Sequence, residues 1–221
     1  TLMKKHLTLL TYLATAHLGG LVCLMVFRLC FFFSLHSALA AETTSAWPAF
    51  LRGLWMDNVI GSYILLLPLL VVLVAQLCGR GGKGLLRFLN IWMGGFYALA
   101  FAAAAANIPF YNYFNQPLNS TIWQWAAYPS QTVGMLFGEA TWWKYIALWA
   151  VVTAVYAYGL FRWRRYFGHR LPAFPKNWRE RGVSLALWLP ITGLCVLGAR
   201  GRLGYNPIKI SAAYYCDNAD L

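Results

Sequence analysis

The sequence predicts an all-α membrane protein with five transmembrane helices. Hydrophobic residues make up 60% of the 221 and charged residues only 11%, whereas an ordinary soluble domain carries about 25% charged residues. A soluble chain of this composition would run out of polar side chains to face water. The apolar residues also gather into five runs, each near the about 20 residues that a helix needs to cross about 30 Å of hydrocarbon. The net charge of +12 is concentrated between alternate runs, as a threaded membrane protein requires.

The spans are expected at residues 7–33, 59–78, 88–106, 145–161 and 183–199. Pro68, Pro190 and the Gly94-Gly95 pair fall inside them, which lipid tolerates where neighbouring helices satisfy the freed backbone groups. The first run is too long for a signal peptide, and no clean small-residue cleavage site follows it. Lys4 and Lys5 precede span one; Arg80, Lys83 and Arg87 lie between spans two and three; Arg162, Arg164, Arg165, Arg170, Lys176, Arg179 and Arg181 lie between spans four and five. The rule that basic loops stay inside then sets the N-terminus in the cytoplasm and the C-terminal end outside. The basic balance belongs to topology and lipid contact, not to nucleic acid; Trp163 and Trp178 accompany it at interface depth.

The two outer loops differ from the inner ones. Residues 107–144, "NIPFYNYFNQPLNSTIWQWAAYPSQTVGMLFGEATWWK", combine Trp, Tyr and Phe with Asn and Gln. Amphipathic aromatics of this kind sit at headgroup level, so an interfacial or re-entrant segment is expected, one that could also serve as a platform for lipid headgroups. Only six residues are acidic. Asp57 follows Arg52 by five positions at the start of span two, and Glu139 precedes Lys144 by five at the start of span four. An unpaired charge at such depth costs several kcal/mol, so each is expected either in a structural pair or in a polar pocket facing the outer leaflet. Arg28, late in span one, is expected to face the bundle interior.

The chemistry of the side chains excludes several classes. The five cysteines show no CxxC spacing and read as small buried hydrophobes. His6, His17, His36 and His169 are scattered, and no HExxH, GxSxG or P-loop pattern occurs. "CGRGGKGLLR" at 78–87 lacks the GK[ST] ending and is expected to be a turn between two spans. No catalytic residue, metal ligand or cofactor site is expected within this chain.

Three stretches carry a family resemblance. "RGLWMDN" at 52–58 stands where lipoteichoic-acid-synthase-like phosphoglycerol transferases and sulfatases of the alkaline phosphatase superfamily often have an Arg-Phe-Asp type motif. Asp57 occupies the aspartate position, with Trp55 and Met56 in place of Arg-Phe. "IPFYNYFNQPLN" at 108–119 resembles that family's aromatic segment after span three. "ARGRLGYNPIKISAAYYCDN" at 199–218 resembles its passage out of the membrane toward an extracellular domain.

The resemblance implies a bacterial cytoplasmic-membrane protein whose catalytic domain, absent from these residues, attacks a phospholipid headgroup with a threonine beside a divalent metal such as manganese. It implies membrane lipids as partners, phosphatidylglycerol among them, and a downstream extracytoplasmic domain for which residues 200–221 begin the connector. Arg52, Asp57, Glu139, Arg200 and Arg202 are then the candidate contacts to a lipid headgroup or to that domain. A phosphoethanolamine transferase has a comparable layout. A small transporter and a non-catalytic assembly subunit are the rivals from other classes.

Overall fold

In hydrocarbon every backbone N–H and C=O must be bonded within the chain, which a helix accomplishes alone. The computed structural model describes residues 2–39, 47–114, 117–118, 127–128, 130, 134, 138, 140–168, 174–175 and 177–201. Among them the architecture is all-helical: α1 (Leu2–Leu39), α2 (Trp47–Cys78), α3 (Lys83–Phe114), α4 (Ala140–Gly168) and α5 (Trp178–Arg200). All five are long and apolar enough to cross a membrane, so by length and composition the chain is a multi-pass membrane protein.

Every helix outruns the apolar stretch that predicts it. Span two was expected to begin at Val59, yet α2 begins at Trp47, so Arg52 and Asp57 are helical residues rather than loop residues. Likewise α3 continues through "NIPFYNYF" to Phe114, and α4 starts ahead of Tyr145 and runs past Phe161 to Gly168. A 32-residue helix such as α2 is about 48 Å long, well beyond about 30 Å of hydrocarbon, so its ends lie at the interfaces or the helix tilts. Much of the expected interfacial segment, including Glu139, lies outside the described residues, as does the tail from Arg202.

The turn at 79–82 takes the form expected of "CGRGG". Gly79 ends α2 with φ 66°, a left-handed conformation that a Cβ disfavours. Its N–H bonds the Gln76 carbonyl at 3.2 Å and the Arg80 N–H bonds that of Ala75 at 3.0 Å, the paired closure of a Schellman motif.

Consecutive helices alternate in direction. Tyr12 meets Asn90, His17 meets Tyr97 and Phe31 meets Tyr111, so α1 and α3 run parallel. Trp149 on α4 bonds Ala98 on α3 while Leu160 lies by Gly94, so that pair is antiparallel. Cys195 on α5 meets Ser62 on α2 and Arg181 lies by Gly79, again antiparallel. The starts of α3 and α5 and the ends of α2 and α4 therefore share one end of the bundle, and most of the Lys and Arg residues lie there.

The core forms two layers. Nearer the basic end, Tyr12, Leu13, Leu69, Leu86, Leu89 and Trp188 pack together. Farther along, Phe27, Met93, Tyr97, Phe101, Tyr156 and Leu160 make a second, more aromatic layer. Outward positions are apolar as well: Leu18, Val22, Val26, Leu29 and Phe33 form an exposed stripe along α1. A continuous apolar exterior of this extent is a lipid-facing surface.

Pro68 shows how the bundle repairs its own backbone. Proline removes the N–H that would bond the carbonyl four residues earlier, which is that of Ile64. The Trp92 indole N–H of α3 donates to that carbonyl at 3.0 Å. Helix α2 continues unbroken through the proline because its neighbour supplies the missing donor.

Candidate functional site

The polar residues of the bundle converge where α1, α2 and α3 meet, toward the end opposite the basic one. Arg28 of α1 donates from Nη2 to Oδ1 of Asp57 on α2 at 2.8 Å. The carboxylate side chain is 10% exposed and the guanidinium side chain 31%. Desolvating either charge alone would be costly, and their mutual attraction in a poorly screened medium offsets that cost. The guanidinium lies directly over Gly53, one turn before Asp57, where any Cβ would overlap it. Oδ2 of Asp57 and Nε of Arg28 are buried with no hydrogen-bond partner.

Asp57 therefore takes Arg28, not Arg52, as its partner. Helical residues advance about 100° each, so positions five apart diverge by roughly 140° around the axis. Arg52 is half-buried on another side of α2, and Arg200, the last residue of α5, is half-buried. Gly198 packs on Ser62 and near Asn58, which brings the end of α5 to the same end of the bundle as Asp57. Glu139 and Arg202 lie outside the described residues.

A second polar chain adjoins the first. Asn58, next to Asp57 on α2, presents its Oδ1 to Nε2 of His17 at 3.2 Å. Nδ1 of His17 is 2.9 Å from the Tyr97 hydroxyl. With the Asn58 oxygen as acceptor, His17 carries its proton on Nε2, and Nδ1 accepts from the tyrosine O–H. Gly61 makes room for this pair: a Cβ there would crowd both His17 and the Tyr97 hydroxyl. Tyr97 is fully buried, so Tyr97→Phe strands Nδ1 away from water. The expected cost is about 1–3 kcal/mol, read as a lower midpoint in a denaturant titration of the purified protein, while Tyr113→Phe, on an exposed ring, leaves it unchanged.

The sequence singles out Asp57 as a candidate contact and Arg28 as inward-facing, which the structure joins as a pair; it does not point to Asn58, His17 and Tyr97 as a set. The available signal was that ionisable residues within a span are expected to be paired, which applied to His17 as much as to Arg28.

An apolar groove of about 730 Å³ runs beside these residues between α1 and α2, and its lining includes Leu21, Met25, Leu29, Leu54, Trp55 and Asn58. Asn58 is its polar member and also the partner of His17, so the groove touches the polar chain at one point. The site presents an apolar slot, an amide, and an ion pair with one carboxylate oxygen and one guanidinium nitrogen still unsatisfied. Among the described residues no three His, Cys, Asp or Glu side chains stand close enough to hold a metal ion. The chain matches no protein-family model, no curated protein and no solved structure.

Proposed function

We propose that the chain is the membrane-spanning part of a metal-dependent phosphoglycerol or related headgroup transferase, or a sulfatase, of the lipoteichoic-acid-synthase-like family. It anchors an extracytoplasmic catalytic domain in a bacterial cytoplasmic membrane, with its basic end inside, and holds a lipid for that domain. The observation that supports this reading is the groove between α1 and α2 lying beside the Arg28–Asp57 pair. An acyl chain fits the apolar slot, whose exposed walls face lipid in any membrane orientation. The headgroup of that lipid then lies toward Arg28, Asp57 and Arg52 at the interface.

The test uses the protein as its own cell makes it. The expected intact mass is well above 24.9 kDa, and the purified protein is expected to release diacylglycerol from phosphatidylglycerol in buffer containing manganese. Val22→Trp, at an exposed position of the groove wall, should lower that turnover about tenfold, equivalent to ~1.4 kcal/mol of lost lipid binding, without lowering membrane abundance. A mass of 24.9 kDa with no lipid turnover overturns the proposal.

The second reading is a small transporter, favoured by the polar chain through Asn58, His17 and Tyr97 inside the bundle. Intramembrane ionisable residues often mark ion paths. It predicts solute or proton flux in liposomes holding this chain alone, which the anchor reading does not.

A further inference from the structure

At the basic end, two cavities open side by side against the last turns of α4. The larger, about 570 Å³, is lined by Arg162, Trp163, Arg165 and Tyr166, with Thr15 of α1 on its far wall. The smaller, about 200 Å³, lies between Lys83 and Arg87 of α3 and Arg164 and Arg165 of α4. Arg165 belongs to both. No carboxylate lines either one among the described residues.

Five cations so close together repel one another, and only part of that cost has an intrinsic remedy. Arg162, Arg164 and Arg165 stand at the C-terminal end of α4, where the helix dipole favours positive charge. Arg164 and Arg165 also rest on the Phe161 ring, with Cζ 5.5 and 4.7 Å from its centroid, a favourable cation–π geometry. Unlike Arg164 and Arg165, Lys83 and Arg87 rest on no aromatic ring among the described residues. They occupy the first turns of α3, where the dipole opposes cations and favours an anion, and they face the arginines of α4 across the smaller cavity. An anion seated there meets several cations at once. Arginine forks suit phosphate oxygens in particular. Trp163 and Tyr166 beside the larger cavity are residue types that settle at the glycerol and headgroup level of a bilayer.

We propose that these adjoining cavities form a binding site for the phosphate of an anionic phospholipid in the leaflet at the basic end. The site is separate from the groove between α1 and α2, and it does not depend on the transferase reading. Arg164 and Arg165 with Lys83 and Arg87 hold the phosphate, while Arg162, Trp163 and Tyr166 pack its glycerol portion. The lipid neutralises the repulsion between α3 and α4 and ties their ends together.

Native mass spectrometry of the detergent-purified full-length protein tests this, with phosphatidylglycerol, phosphatidylcholine or inorganic phosphate added in turn. Phosphatidylglycerol should remain bound and phosphatidylcholine should not, and inorganic phosphate at the same concentration should not displace the lipid. Arg162→Gln with Arg165→Gln, and separately Lys83→Gln with Arg87→Gln, should each lower bound phosphatidylglycerol about tenfold or more. All four residues are exposed, so the variants are expected to fold. A control pair, Arg80→Gln with Arg179→Gln, removes two exposed charges at the same end but outside both cavities, and should retain the lipid. Equal retention of phosphatidylcholine, displacement by inorganic phosphate, or an equal loss in the control pair overturns the site. Val22→Trp should leave this binding intact, so failure here is distinguishable from failure of the groove.

Discussion

Asp57→Ala is expected to destabilise the protein by about 3–5 kcal/mol, because it leaves the Arg28 guanidinium buried without its counter-charge. The pair lies within two spans, Thr8–Ser34 and Phe50–Cys78. The exposed part of Arg28 therefore faces lipid or the interface more than bulk water, and screening does little to soften the loss. The double variant Arg28→Met with Asp57→Leu is expected to recover most of the stability, since apolar residues of similar volume often replace a buried pair at little cost. Denaturant titrations of the wild type, both single variants and the double variant in one detergent measure the coupling directly. If the double variant is as unstable as the sum of the singles, the two side chains do not interact, and the contact between Arg28 and Asp57 is wrong.

This expectation changes how the site is probed. Asp57 stands at the position resembling a family motif, but a loss of transferase activity on its removal would be mixed with a loss of folded protein. Arg52 and Arg200, half-buried at the same end of the bundle, are the cleaner probes of headgroup or interdomain contact. The unsatisfied Oδ2 of Asp57 and Nε of Arg28 are where structural and recognition roles of the pair meet.

The five helices were legible because each contains a run of apolar residues long enough to cross lipid, and no soluble fold could hide so many. Their ends were not legible by the same rule. A hydropathy argument stops at Asp57-Asn58 and at Asn107, yet the helix continues through both. In α2, Asp57 and Asn58 are taken up by residues of another helix, Arg28 and His17. That pairing depends on which faces of α1 and α2 meet, and residue spacing along one helix carries no such information. A pair between Arg52 and Asp57, one of the two arrangements open from the sequence, does not form for this reason: closeness in sequence is not closeness in space. The bond from Trp92 to the Ile64 carbonyl was hidden in the same way. Pro68 announces a freed carbonyl, but only the packing of α3 on α2 names its donor. The basic end was read correctly as a cluster by position, while its division into two cavities needed the antiparallel contact of α3 with α4.

Gly20→Ala should cost up to about 2 kcal/mol net of alanine's better helix propensity, whereas Gly19→Ala, one residue away on the same helix, should be neutral or mildly stabilising. A Cβ on residue 20 would overlap the ring of Tyr97. That ring has nowhere to go: it is fully buried, its centroid is 5.3 Å from that of Tyr156 and 5.8 Å from that of Phe101, and its hydroxyl is held by His17. Inserting one methyl into such a site forces side chains off their rotamers or drives α1 away from α3, typically at 1–3 kcal/mol. A Cβ on residue 19 would instead lie 3.6 Å from the Tyr156 ring, an ordinary van der Waals contact, and alanine is the better helix former by about 1 kcal/mol. Because Tyr97 also carries the bond to His17, the strain of Gly20→Ala passes into the polar chain, and the variant is expected to disturb the groove-side amide of Asn58 as well as the core. Thermal melts of the two variants in the same detergent separate these effects. Equal midpoints would mean that α1 and α3 are farther apart at Tyr97 than the contacts require, and that the His17–Tyr97 bond does not form across a closely packed pair.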